Sequence, residues 1–426
     1  MAANGRTDIN DSGTPVKKGS RSFGAFIAGF DWLQIVALLF LLSTGLVFIH
    51  STGVQVGTPA SALFFQKQLT QWIPFGALLW LFFSFTDYRK SYFKTGGLCF
   101  FLLTTLALIL VLKFGVKVYG ATRWLMVGSF RLQPSEFGKL SLILVLGWLY
   151  SSPRFSGASW KGIIAGAFIV LLPAVLIFKE PDLGGTLILF PIAGAMLLVS
   201  GLKWRWLLLV LAVISAAFFA LRALVLADEP QVTDKRGKNA IVQSSAKGEK
   251  PSESVRKKGL LKPYQKKRLK VFFKPNTDIS NSGHNVYQSR LAVGAGGLKG
   301  KGIGNGTQNQ LGFLPQTVSN NDFIFSVIAE ETGFMGCLVL LGGYVLLFIS
   351  IFRTAFKAPP YGRLLAVGIG TMLFCHTYIN IGMCIGLAPV TGLPLPFVSY
   401  GGSFMFVGMM CLGIMQSIHR NNDELK

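Results

Sequence analysis

DWLQIVALLFLLSTGLVFIH, residues 31–50, decides the architecture of this chain. It holds one acid, at its first position, and no Lys or Arg. Twenty residues of helix cross the hydrocarbon layer of a bilayer, about 30 Å thick. Only helices and closed barrels can do so, because every backbone polar group must be satisfied internally. The apolar residues here run on without alternating, which selects helix over strand. Working outward, about ten such runs emerge at roughly 20 residues each. They are 31–50, 69–86, 94–113, 135–151, 161–178, 183–201, 204–226, 322–352, 362–388 and 396–418. The sequence thus predicts an all-α integral membrane protein of about ten transmembrane helices, with a large external loop between the seventh and eighth.

Composition agrees. Of 426 residues, 51% are hydrophobic and 36 are Phe, and the mean hydropathy is +0.52. Soluble domains are seldom this apolar. The net charge of +23 fits basic loops beside anionic lipid. A nucleic-acid partner is excluded by the scatter of basic residues over loops between spans. The five cysteines, Cys99, Cys337, Cys375, Cys384 and Cys411, all fall in apolar runs without metal-ligand spacing, and read as small core residues. In the N-terminal tail 1–30, residues 1–25 are polar and show no short apolar region with a cleavage site, so the first helix is expected to be an uncleaved anchor.

Orientation follows from the short loops. With the N-terminus inside, Lys17, Lys18, Arg21, Arg89, Lys90, Lys94, Arg154, Lys161, Lys203, Arg205, Arg353, Lys357, Arg363 and Arg420 are cytoplasmic, as the positive-inside rule asks. Both termini, including 419–426, are then cytoplasmic. Helices one to seven occupy 31–226, the loop 227–321 is external, and helices eight to ten occupy 322–418. Within the loop, 228–274 is rich in Lys, Ser, Gln and Glu and cannot bury a core. Residues 275–321 are Gly-rich and low in charge, suited to tight turns beside a ligand or another helix.

Charge nevertheless sits on the translocated side. The short loop 114–134 carries Lys117, Arg123 and Arg131, and 179–182 carries Lys179, Glu180 and Asp182. Snorkelling suits Lys113 and Lys179. Arg123, between Tyr119 and Trp124, reads instead as a functional cation facing an anionic lipid head group. Asp182 after Pro181, and Asp322 after two Asn, read as helix caps. Glu330 and Glu331 lie inside the eighth span, where an acid must face protein or water. Asp278 stands among Asn, Thr and Ser, and by spacing alone it is either a turn residue or a functional acid. Pro134 opens the fourth span, with Glu136 in its first turn. Glu136 and Lys139, three apart, can pair on one face, as a structural ion pair or as ligand contacts. The stretch 388–403 alternates Pro and Gly, which survives at membrane depth only if it is buried or lines a cavity.

These pieces together resemble the SEDS family (shape, elongation, division and sporulation), the RodA and FtsW peptidoglycan glycosyltransferases. Matching segments are GATRW (120–124), QPSEFGKL (133–140), EPDLGGT (180–186), NVYQSRLAVGAGGLKGKGIGNGTQNQLGFLP (285–315), NDFIFSVIAEETGFMG (321–336) and PVTGLPLPFVSYGGS (389–403). The GTQNQL run is closer to RodA than to FtsW. The resemblance implies polymerisation of lipid II, an undecaprenyl-pyrophosphate disaccharide-pentapeptide, at the outer face of the inner membrane. It implies a class B penicillin-binding protein as transpeptidase partner, with other elongation or division membrane proteins. It carries the essential acid onto Asp278. It maps Trp124 onto the family's loop tryptophan and Glu136 and Lys139 onto its helix-start pair. With Lys117, Arg123, Gln288 and Ser289 these are the candidate substrate contacts, and Asp182, Asp322, Glu330, Pro394, Pro396 and Ser399 are the supporting residues. A divalent cation, Mg²⁺ or Mn²⁺ with Asp278 as ligand, is an open option. Two departures stand out: 228–274 looks like an insertion, and Asn320-Asn321-Asp322 replaces the usual His-Thr-Asp. Two rival classes remain, a lipid II flippase and a non-catalytic scaffold.

Overall fold

The computed structural model describes residues 29–54, 60–118, 121–128, 130–203, 208, 272–273 and 283–422. Of the seventh expected span only Leu208, and of the basic stretch only Phe272 and Phe273, are among these; Asp278 lies outside the described residues. The chain is a helical bundle. Helix α1 is Trp32–Ser51, and Asp31 caps it by accepting from the Leu33 and Gln34 amides at 3.1 and 3.3 Å. Helix α2 (Ala60–Lys67) continues through a π-helical turn (Gln68–Trp72) into α3 (Ile73–Phe85). The second helical stretch therefore starts nine residues before the expected 69, because 60–68 holds no breaker and polar side chains are tolerated near a membrane boundary.

Helix α4 (Ser91–Phe114) is followed by the clearest departure from an all-helical reading. The expected loop 114–134 is a three-stranded antiparallel sheet, β1 (Val116–Val118), β2 (Ala121–Val127) and β3 (Phe130–Leu132). Val116 faces Trp124, Lys117 faces Thr122 and Met126 faces Arg131. The β-branched and aromatic residues of VKV and ATRWLMV favour pleated backbone. A search for 20-residue apolar runs does not detect such short strands.

Helices α5 (Pro134–Tyr150), α6 (Trp160–Lys179) and α7 (Leu183–Val199) follow. After the large loop come α8 (His284–Ala295), the single turns α9 (Thr307–Gln310) and α10 (Gln316–Ser319), then α11 (Ile324–Lys357), α12 (Pro360–Ile385) and α13 (Gly402–Arg420). Among the described residues, six helices (α1, α4, α6, α11, α12 and α13) are long and apolar enough to cross a membrane, and α7 is a shorter apolar helix. The last helix begins at Gly402, later than the expected 396. Apolar residues 393, 395, 397 and 398 extend the hydrophobic run, but the prolines at 394 and 396 keep the backbone out of helix.

Helix α13 is the centre of the bundle. Of its most apolar window 89% is buried, although its hydropathy is the lowest of the six. Burial here comes from helix neighbours rather than lipid: α13 packs along α3 and touches α5, α11 and α12. Helix α11 lies against α1 and α12, and α12 against α7 and α5. Arg420 donates to the Ser84 carbonyl, and Ser350 to Asp31, at one end of the bundle. The sheet, the starts of α5, α7, α11 and α13 and the loop 296–323 share the other end, where the site is built.

Candidate active site

Helix α5 opens on Pro134, whose missing N–H is no loss at a helix start. Glu136 falls in the first turn and Lys139 one turn on. Their pairing is tight: Lys139 Nζ donates to Glu136 Oε1 at 2.8 Å and Oε2 at 2.9 Å. Lys139 is 0% exposed and Glu136 4%, so both charges are buried together. A charge pair in such surroundings persists only when its remaining donors are satisfied. The third Lys139 donor meets His376 Nε2 at 3.0 Å, on α12. His376 was not foreseen, although a His and an Asn four residues apart in an apolar run (His376, Asn380) are a polar signal that membrane helices rarely carry idly.

A second group lies beside the first. Asp182 caps α7, accepting from the Gly185 amide at 3.0 Å. Its carboxylate also takes Gln133 Nε2 at 3.3 Å and lies 3.7 Å from the Arg123 guanidinium. Arg123 further donates to the Glu180 carbonyl at 3.3 Å and to the Pro181 carbonyl. Its side chain is 15% exposed, so it clamps β2 to the α6–α7 turn rather than standing free for a head group. Trp124 is half-buried on β2, and Arg131, on β3, is exposed. Glu180 is fully buried, and among the described residues neither carboxylate oxygen has a hydrogen-bond partner. Burial pushes its carboxyl up to about 9; Asp182 adds to the rise and Arg123 opposes it.

The Pro/Gly stretch 389–401 is irregular and mostly buried against protein. Its carbonyls and hydroxyls are used one by one. Pro394 O faces His376 Nδ1 at 3.3 Å, and Pro396 O accepts from the Tyr344 hydroxyl at 2.6 Å. Ser399 accepts from the Leu395 amide at 2.8 Å and donates to Asn321 O at 2.6 Å. Tyr400 N–H reaches Asn320 O at 2.9 Å, and Gln133 N–H reaches Ser403 Oγ at 3.0 Å. This segment therefore meets α11, α12 and the turn before α11, while the α5 start meets Ser403 at the beginning of α13.

Helix α11 is broken at Gly333, with φ 68° and ψ −165°, backbone open in practice to glycine alone. The Gly-rich run fills the break. Phe334 and Met335 N–H bond to the carbonyls of Gly297 and Leu298, while Lys301 and Gly302 N–H bond to those of Glu330 and Glu331. A Cβ on Gly333 would stand 2.3 Å from Gly300 N. The glycines thus serve close approach to another helix. Glu330 accepts from Lys301 Nζ at 2.6 Å and Thr307 Oγ1 at 2.8 Å, and Glu331 from Gly304 N at 3.0 Å and from Ser51 of α1. Both buried acids face protein.

Two expected placements differ. Ser289 is 0% exposed, and its hydroxyl is shared between Ser326 and the Cys384 carbonyl, so it packs α8 onto α11 and α12 rather than facing a ligand. Its neighbour Gln288 is half-buried. Asp322 does not cap α11: the cap position is Phe323, without a side-chain cap bond, because a turn ends α10 just before it. Asp322 instead accepts Asn380 Nδ2 at its carbonyl, at 3.0 Å. Lys117 lies on β1. Among the described residues no group of three or more His, Cys, Asp or Glu could hold a metal ion.

Similarity to known proteins runs the length of the bundle. The chain is 32% identical over 437 residues to the peptidoglycan glycosyltransferase RodA of Treponema pallidum, covering 92% of this chain and 98% of that protein. It is 35% identical over 327 residues to the peptidoglycan glycosyltransferase MrdB of Escherichia coli K12, covering 76% and 78%. A solved chain from a peptidoglycan synthase complex that coordinates polymerisation and crosslinking superposes with a TM-score of 0.70 at 26% identity, covering 93% of this chain and 99% of that one. The family model for cell cycle proteins of the FtsW, RodA and SpoVE type matches residues 31–424, and the chain belongs to that family.

Proposed function

We propose that the chain is a peptidoglycan glycosyltransferase of RodA type that polymerises lipid II at the extracytoplasmic face of the inner membrane. One observation carries the reading. Segments scattered from 121 to 403 converge on one end of the bundle, in a chain whose relatives are named peptidoglycan glycosyltransferases along nearly their whole length. In this reading that end faces outside and both termini face inside, which the basic short loops support.

In this reading a hydroxyl of one lipid-linked sugar attacks the anomeric carbon of another. Asp278 takes the hydroxyl proton as general base. The new C–O bond forms as the bond to the lipid diphosphate breaks, and a single direct displacement inverts the anomeric centre. Negative charge grows on the departing diphosphate, and fixed cations lower that barrier. Lys117 and Arg131 supply this charge from the sheet, with Arg123 holding the sheet in place. Lys139, neutralised by Glu136, acts from behind as the anchor of the α5 start. No step is routed through a divalent cation. A crosslinking transpeptidase of the class B penicillin-binding type is the partner this activity requires, since glycan strands need joining.

The test is polymerisation of lipid II by purified protein in detergent, where there is no membrane to cross, with Mg²⁺, Mn²⁺ or chelator as separate arms. Asp278→Asn should lower the rate by about 10²–10⁴-fold. Wild-type protein that forms no polymer favours a flippase, and Asp278→Asn at the wild-type rate removes the base assignment.

A further inference from the structure

His376 sits where two parts of the site meet. It is on α12, 0% exposed, with its ring stacked on Phe404 of α13 at 4.3 Å between centroids. Its Nε2 lies 3.0 Å from Lys139 Nζ, and its Nδ1 lies 3.3 Å from the Pro394 carbonyl. An ammonium has only donors, so Nε2 must accept. A carbonyl has only acceptor sites, so Nδ1 must donate. The two contacts together fix one neutral tautomer, protonated on Nδ1.

The arrangement has a mechanical consequence. Lys139 has three N–H donors; two are spent on Glu136 and the third on His376. Among the described residues, His376 bridges by hydrogen bonds from this pair to the irregular 389–401 segment. That segment in turn meets the turn before α11 through Ser399 and Tyr400 and leads directly into α13, whose Ser403 accepts from the Gln133 amide before α5. Side chains around a reacting centre are held by such outer contacts, and small misplacements there are costly in rate.

We propose that His376 is a positioning residue for glycan polymerisation: through its Nδ1–H tautomer it locks the Glu136–Lys139 pair of α5 to the Pro394 carbonyl of the 389–401 segment, so that the two walls of the site keep one spacing. The role rests on the polymerase reading above.

Three substitutions separate it from mere packing. His376→Gln can place an amide oxygen near the Nε2 position and keep the acceptor for Lys139. His376→Asn keeps a donor near Nδ1 and leaves Lys139 without its third acceptor. His376→Leu keeps bulk and loses both. With purified proteins of matched thermal unfolding temperature, the Asn and Leu variants should lose about 10²-fold in kcat with KM little changed, and the Gln variant should retain most of the rate. Nitrogen-15 spectra of the labelled imidazoles, with the His376 signal assigned by its loss in His376→Gln, should show the proton on Nδ1 and a shift of Nε2 in Lys139→Met.

A proton on Nε2, or His376→Leu as active as an active wild type, overturns this role and leaves the polymerase reading intact. A wild-type protein that makes no glycan overturns both.

Discussion

Replacing Lys139 by Met separates the structural value of the buried pair from its use in catalysis. Met has a similar length and no charge, so the helix face stays filled. What is lost is three hydrogen bonds from Nζ, two of them to Glu136 at 2.8 and 2.9 Å and one to His376 at 3.0 Å. Glu136 is 4% exposed and so is shielded from bulk solvent. Breaking one partner of a buried pair costs about 3–5 kcal/mol, because a charge is left uncompensated. Removing both partners costs far less, since their mutual attraction was largely offset by desolvation. Glu136→Gln combined with Lys139→Met should therefore be more stable than Lys139→Met alone, the reverse of additive behaviour. Thermal unfolding in one detergent, followed by tryptophan fluorescence, gives the cycle. Polymerisation should stay low in the double variant, because the α5 start no longer has its anchor on α12. A double variant no more stable than the single one would refute the argument that an unpaired buried charge dominates.

Two further outcomes follow from the same geometry. Gly333→Ala puts a Cβ 2.3 Å from Gly300 N and forces φ near 68° on a residue with a side chain, so stability should fall by about 1–3 kcal/mol with loss of protease resistance in 296–302. Glu180 gives a pH signature. Its carboxyl is raised from 4.5 to about 9 in the fold, so the native state holds a proton that the unfolded chain releases. The stability this brings is complete below 4.5 and is lost as pH climbs towards about 9, at up to about 1.4 kcal/mol per pH unit. Glu180→Gln should flatten that slope and be the more stable protein at pH 8; unfolding temperatures of the two proteins falling in parallel with pH would count against it.

The class of the fold is legible in the residues alone. Uninterrupted apolar runs allow no alternative to helices in a bilayer, since lipid offers the backbone no partner. Pro134 and Glu136 announced a helix start, and the Glu136–Lys139 spacing put two charges on one face, because helical periodicity is a local property. The prolines around 394 announced irregular backbone for the same local reason. The small sheet shows only in the β-branched and aromatic residues of strands three to seven residues long, too short to form a 20-residue apolar run.

Which residues meet is a matter of packing. Neither Arg123 nor the turn at 180–182 says alone that the guanidinium is spent on Glu180, Pro181 and Asp182. Ser289 looks like a polar residue open to a ligand until α8 is laid on Ser326 and Cys384. The break at Gly333 depends on backbone from residues 297–302 arriving to take over its hydrogen bonds. His376 gains its meaning from Lys139, 237 residues earlier, and from Pro394, 18 residues later. Contacts at such separations are set by how whole helices pack, and packing is a property of all the surfaces at once, so no short window of residues encodes it.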